Sequence, residues 1–458
     1  MKIKKLLLNY RGKGGVAEML AIALPMILSA ACDGVMTFTD RLFLAKIGPE
    51  QMNAAMGGGV MMQTLMFFFM GLVGYLTALA AQYYGSGRKD FAPVAAFQAL
   101  LVVAVSYPVI LGLVPFAKYL FTVMDVPATQ ISYQNIYIEI LAIGALPGML
   151  RYAMGCYFSG IGRTRVVMLA TVAAMVVNVV LDYILIFGKF GAPAMGIKGA
   201  AIATVTGSIS AVLILAAVYF SREHRSTFGV MKSFRFNKDV MKQLLYYGYP
   251  AGVEMFLNFL AFSMMILMFH SQGAHVATAS TIMFNWDLVS FIPLLGIEIA
   301  VTSLVGRYMG AGDPDTAHNS AMSGIRIGIW FSLMVLIAFV FFPEFLVQVF
   351  RPDVENVVFE QAAPLAVSMI RIASVYVLAE AMMVALVGAL RGAGDTHWTM
   401  VASVTFHWSF IPVLYVMFNI LQSSPVAAWS VLVAFFMLFC LVLFFRFRGG
   451  KWRDIRIV

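Results

Sequence analysis

The sequence predicts an all-α polytopic membrane protein with twelve transmembrane helices in two pseudo-symmetric six-helix lobes, and three observations predict it. Hydrophobic residues make up 61% of the 458 positions and charged residues 12%, too little polar surface for a soluble chain of this length. Twelve apolar runs are long enough to cross a bilayer. The glycines and prolines that punctuate the first half recur at fixed offsets in the second.

The first span, 16–40, follows a basic segment that ends at Gly15; it is full length and lacks a small-residue cleavage site, so it reads as a retained helix and not a signal peptide. Pro25 lies inside it, where the missing amide donor permits a kink. The same span carries Asp33 and Asp40, seven residues apart and therefore on one face, two turns from each other. An acid inside a span usually faces a bundle interior or a wet cavity, which makes both functional candidates; the plainer reading of Asp40 is that it marks the interface with Arg41. Spans 54–81, 93–116 and 131–158 follow. Span five, 165–188, sets Asn178 and Asp182 four residues apart on one face, and span six, 196–220, brings Thr204. Oxygen ligands of this kind suit a hard cation or a proton, although Asn178 and Asp182 also suit interhelical hydrogen bonding.

A basic stretch, 221–242, joins the halves and is expected to include a short amphipathic segment on the inner leaflet. Span seven, 243–270, repeats the proline as Pro250, with Glu254 and Asn258 on one face beyond it. Span eight, 276–303, holds Asp287 and Glu298, the latter after Pro293 and Gly296, where it also reads as a cap on a distorted helix. After span nine, 321–343, span ten, 361–388, places Tyr376 and Glu380 on one face; spans 398–420 and 425–446 complete the set. The resulting division is an N-terminal lobe 1–220, a linker 221–242 and a C-terminal lobe 243–458, with connections too short for a soluble domain.

Counting Lys and Arg by loop puts 22 on one side and 6 on the other, which by the positive-inside rule predicts that both termini are cytoplasmic. The net charge of +9 is thus a topology and anionic-lipid signal, with no nucleic-acid partner implied. Cys32, Cys156 and Cys440 have neither metal nor redox spacing and read as small packed side chains. There is no G-x-x-x-x-G-K-[ST] loop, no filter-like glycine motif and no nucleophile constellation, which argues against an ATP-driven pump, a channel and an enzyme.

The repeat pairs Pro25 with Pro250, Gly48 with Gly273, Gly85 with Gly310 and Gly87 with Gly312 at an offset of 225, then Gly160-Ile-Gly162 with Gly392-Ala-Gly394 at 232. Six spans per half give the lobes the same orientation, related by an axis along the membrane normal. The acids are not duplicated: Asp40 falls opposite Met265, Asp33 opposite Asn258, Asp182 opposite Leu414 and Glu380 opposite Gly148.

The segments FTDRLFLAKIG around Asp40, AQYYGSGR at 81–88, SGIGRTR at 159–165, NVVLDYILIFGKFGAPAMGIKGAAIAT at 178–204, LVGRYMGAGD at 304–313 and GALRGAGDT at 388–396 together resemble the MATE family (multidrug and toxic compound extrusion), in its NorM-like bacterial branch. The resemblance spans essentially the whole chain. It implies a secondary active antiporter of the bacterial cytoplasmic (inner) membrane that exchanges small amphipathic organic cations for protons or sodium. No cofactor, no metal beyond a bound sodium ion and a monomeric state are expected. By resemblance Asp40, Asn178, Asp182 and Thr204 match the first-lobe cation or proton site, and Glu380, with Tyr376 one turn before it, matches an acid of the second-lobe site. Two positions depart from the pattern: Glu380 stands where Asp is usual, and Asn258 stands at the helix-seven acid, with Glu254 one turn earlier. The alternative is a flippase for lipids or lipid-linked precursors on a related two-lobe scaffold, which calls for a basic cavity.

Overall fold

The computed structural model describes residues 12–123, 127–352 and 356–458; the basic residues Lys2 to Arg11 of the topology count lie outside the described residues. Among the described residues every regular element is helical. In chain order spans one to six are Val16–Ala45, Glu50–Gly85, Phe91–Val123, Thr129–Gly160, Thr164–Phe187 and Ile197–Tyr219; spans seven to twelve are Lys238–His270, Ala274–Gly310, Pro314–Phe341, the pair Val357–Ala373 and Val377–Ala393, Thr396–Ile420 and Pro425–Arg448. Their length and apolarity make the chain a multi-pass membrane protein.

Span ten departs from the continuous helix expected over 361–388. It breaks between Ala373 and Val377 with a bend of 52°. No Gly or Pro stands at the break; there the backbone bonds tighten to three-residue spacing, Val375 to Ile372 at 3.1 Å and Tyr376 to Ala373 at 3.0 Å, and the Ser374 hydroxyl donates to the Arg371 carbonyl at 2.6 Å. Spans one and seven run unbroken through Pro25 and Pro250. Span seven starts at Lys238, earlier than expected, and the linker before it folds as a short helix, Arg222–Phe228, capped by the Ser221 hydroxyl accepting from the His224 amide. His224 and Phe228 bury themselves, whereas Met231, Phe234 and Phe236 stay exposed.

The recurring glycines have two structural jobs, repeated in both halves. Gly87, Gly162, Gly312 and Gly394 take positive φ of 71–98° at turns, a conformation that strains any residue with a Cβ. After three of them the next amide reaches back five residues: Arg163 to Phe158, Asp313 to Tyr308 and Asp395 to Leu390, at 2.8–2.9 Å. Elsewhere glycine permits close helix crossings. A Cβ on Gly160 would lie 2.5 Å from the Thr77 carbonyl oxygen, and one on Gly392 would lie 2.7 Å from that of Thr302, the repeat partner of Thr77. Gly71 and Gly296, also 225 apart, make crossings of the same kind: a Cβ would meet the Ala251 carbonyl at 2.5 Å and the Ile27 amide nitrogen at 2.5 Å, respectively.

The chain packs as two compact units. One holds Leu28–Met255, Gly310–Gly312 and Ile457–Val458; the other holds the chain up to Ile27, Phe256–Met309 and Asp313–Arg456. Packing therefore divides spans one and seven within the helix, close to their prolines. In the unit that holds Leu28–Met255 the start of span seven crosses span two through Gly71, Gly248 and Gly252. In the other, the start of span one packs on Leu294, Ile297, Val301 and Leu304 of span eight.

Candidate functional site

In the unit built mainly from spans one to six, Asp40 of span one meets Asn178 of span five and Thr204 of span six. The Asn178 amide donates to Asp40 Oδ1 at 3.2 Å, and the Thr204 hydroxyl donates to Asp40 Oδ2 at 3.1 Å. Asp182, one helical turn past Asn178, is 0% exposed and lies close enough to Asp40 for their charges to interact directly. Asn178 is 1% and Asp40 7% exposed. Close packing sets this geometry: a Cβ on Gly207 of span six would sit 3.0 Å from the Ala174 carbonyl and 3.3 Å from the Asn178 Cβ, so span five presses Asn178 toward its neighbours. A cluster of Leu44, Ala54, Ala55, Ile186, Ile197 and Ala200 packs nearby and includes Tyr137, whose ring feels both Asp40 and Asp182.

Two carboxylates held together away from water repel unless a positive charge joins them. Both Asp182 oxygens and the Asn178 carbonyl oxygen are buried and receive no hydrogen bond. With Asp40 and Thr204 they make an all-oxygen donor set that suits a proton or a hard cation such as sodium. Among the described residues no group of three or more His, Cys, Asp and Glu converges as a metal site.

Asp33 does not join this cluster. Both terminal nitrogens of Arg151, in span four, donate to its Oδ1 at 2.9 Å. Arg151 gives no signal in the sequence, because a lone arginine in an apolar run has no spacing signature. Tyr137 was likewise illegible, as one of 18 tyrosines.

In the other unit, Tyr376 donates its hydroxyl to Asp287, and Glu380 lies one turn further along span ten, where its charge reaches both. The break in span ten makes Tyr376 the cap residue and puts Glu380 in the first turn of Val377–Ala393, where free backbone amides favour a negative charge. One Glu380 oxygen, Oε2, is buried with no hydrogen bond. Phe436 stacks on Tyr376 with centroids 5.2 Å apart, and Trp429 meets it edge-on. Asn258 donates to the Ser403 hydroxyl at 2.8 Å, and Glu298 pairs with Arg391 at 2.5 Å. Glu254 is buried and engaged, and it belongs to the unit that holds Asp40, not to the unit of the other second-half candidates.

Outside the spans, His224 is fully buried among Tyr157, Phe158, Tyr219 and Phe228, with its Nε2 2.8 Å from the Tyr157 hydroxyl. Burial, helped by the Arg163 guanidinium, pushes its pKa down to about 4. Beyond the spans' glycine turns, Asp395 accepts from Arg446 Nε and Nη2 at 2.8 and 3.0 Å.

A family model described as MatE matches the chain twice, over residues 25–184 and 250–416, beginning on the two prolines of the repeat. The probable multidrug resistance protein NorM of Thermotoga maritima is 28% identical over 458 residues, covering 97% of this chain and 95% of that one. The multidrug resistance protein PmpM of Pseudomonas aeruginosa is 25% identical, covering 89% and 85%. A solved structure, described as a MOP superfamily transporter from Pyrococcus furiosus whose reverse pocket polarity suggests a different function, superposes with a TM-score of 0.87 at 19% identity, covering 99% of each chain.

Proposed function

The chain belongs to the MatE family, whose members are membrane transporters and not enzymes, and on that premise we propose that it is a secondary active multidrug efflux transporter exchanging amphipathic organic cations for protons or sodium ions across a bacterial cytoplasmic membrane. The names of the relatives support the export class. The observation that carries the coupling is the buried pair Asp40 and Asp182 with its all-oxygen donor set, drawn from three spans together with Asn178 and Thr204.

A proton or sodium ion bound there neutralises the repulsion between the two acids and changes what span one packs against; Pro25 gives that span the freedom to respond. Transport requires that the coupling cation and the substrate prefer different states, since equal affinity for both shifts nothing. Asp287, Tyr376 and Glu380 form the second-half candidate for cation or substrate, with Glu254, Asn258 and Glu298 as flanking candidates. We take 1–220 and 243–458 as the functional lobes of a monomer, joined by 221–242, with both termini cytoplasmic. The acids of the first lobe weigh against a flippase for anionic lipid headgroups.

The test is organic-cation exchange in proteoliposomes, with a proton gradient or a sodium gradient imposed separately, for the wild type, Asp40→Asn and Glu254→Gln. Asp40→Asn is expected to abolish gradient-driven transport with the protein still folded. Full transport by a folded Asp40→Asn protein sinks the coupling site, and no cation movement under either gradient sinks the export reading. A sodium requirement that Glu254→Gln removes moves the ion site to span seven.

A further inference from the structure

We propose that the Asp33–Arg151 ion pair is a bipolar subsite of the first lobe, whose arginine receives the negative group of substrates that carry both charges; the inference rests on the export reading above. Asp33 lies 12 residues from the end of span one and 17 from its start, about 18 and 25 Å along a helix. It is therefore deep within the membrane-spanning length. Even so, its side chain is 46% exposed and that of Arg151 25%. An ion pair turned toward hydrocarbon at that depth is heavily penalised, so its exposed side meets a water-filled space.

The geometry leaves both partners with capacity to spare. Arg151 spends two N–H groups on one oxygen, Oδ1, instead of forming the parallel two-oxygen fork that would close the pair. Asp33 Oδ2 takes no hydrogen bond among the described residues, and the Asp33 backbone carbonyl also accepts from Thr37 Oγ1 at 3.1 Å. A carboxylate brought to the open side of the guanidinium gains donors without breaking the existing contact, and an ammonium group gains Asp33 Oδ2.

Position sets the class of ligand. Asp33 stands two turns before Asp40 on the same helix face, about 10 Å along the axis. The Asp40 cluster holds two acids and no base, whereas the Asp33–Arg151 pair holds one of each. A flat amphiphile with its cationic group toward Asp40 and a carboxylate about 10 Å away fits this order of charges. A purely cationic ligand uses the first feature and only half of the second.

The probes are a matched pair: a cationic xanthene dye bearing an ethyl ester, and the same dye with the ester hydrolysed to a carboxylate. Fluorescence anisotropy reads their Kd for purified wild type, Arg151→Gln and Asp33→Asn in lipid nanodiscs. Arg151→Gln is expected to weaken the acid dye at least tenfold while changing the ester less than threefold; Asp33→Asn is expected to shift the acid-to-ester ratio the opposite way. A pair that only ties span one to span four moves both dyes by the same factor, and an unchanged ratio in both variants overturns the subsite. Proteoliposome flux separates the two readings: selective binding with no gradient-driven movement of either dye by the wild type refutes export and leaves the subsite in place.

Discussion

Placing a single methyl group at Gly160 or Gly392 should destabilise the protein, and the structure indicates how much. Each glycine packs against backbone, which cannot rotate away. A Cβ at Gly160 would stand 2.5 Å from the Thr77 carbonyl oxygen and one at Gly392 2.7 Å from that of Thr302. A comfortable contact needs about 3.5 Å, so spans two and four must part by about 1 Å, and spans eight and ten by about 0.8 Å. Overpacking of this kind costs about 1–3 kcal/mol, which outweighs the gain of about 0.5–1 kcal/mol that alanine brings to a helix interior. Gly112, inside span three, has nothing within 4 Å of its Cβ position, so Gly112→Ala isolates that gain. Thermal unfolding of the three alanine variants in one detergent should rank Gly112→Ala at or above the wild type, with Gly392→Ala and Gly160→Ala several degrees below it. If Gly160→Ala and Gly392→Ala melt with Gly112→Ala, the close-crossing account of the repeat is refuted.

Three further outcomes follow from the same geometry. Asp395→Asn removes the charge from a two-point pair with Arg446, of which Asp395 is nearly buried; a loss of about 2–3 kcal/mol is expected on unfolding, and a change under 0.5 kcal/mol would show the pair to be idle. His224 has a folded-state pKa of about 4, below the ordinary histidine value of about 6.5, so between those values the unfolded chain binds the extra proton. Its contribution is intact above pH 6.5 and falls as the medium is acidified, by at most about 1.4 kcal/mol per pH unit; His224→Gln should flatten the dependence of melting temperature on pH between 7 and 5. Tyr376→Phe keeps the stack on Phe436 but removes the hydroxyl that donates to Asp287; transport is expected to fall at least tenfold with little change in melting, and unchanged transport removes this cluster from the function.

The scaffold was legible where its signals are local. Gly162, Gly312 and Gly394 announce turns because only glycine takes those backbone angles cheaply, and Gly160 and Gly392 stand out because they recur at the fixed offset of 232. Asn178 and Asp182 were legible as a polar pair because helical spacing alone puts them on one face. What joins them to Asp40 and Thr204 is tertiary, carried by a tight crossing at Gly207 that no spacing announces. The break in span ten was invisible for a related reason: no Gly or Pro marks it, and the side-chain bond of Ser374 is one that serines in unbroken spans also make, as Ser290 does to the Asp287 carbonyl. Arg151 and Tyr137 owe their places to partners in other spans, so composition could not single them out.

The glycine turns carry a consequence for biogenesis. Gly162, Gly312 and Gly394 close their turns with bonds to residues no more than five positions back, so each cap can form as soon as those few residues leave the ribosome. The helical hairpins made by spans four and five, eight and nine, and ten and eleven therefore reach the insertion machinery with their bends already set. The Asp40 site behaves in the opposite way. It draws on spans one, five and six, and its last residue in chain order is Thr204. Until that residue is made, the nascent chain carries two acids inside apolar helices with no completed site, and a pause in synthesis just before Thr204 is the point at which this protein most needs protection from the membrane it is entering.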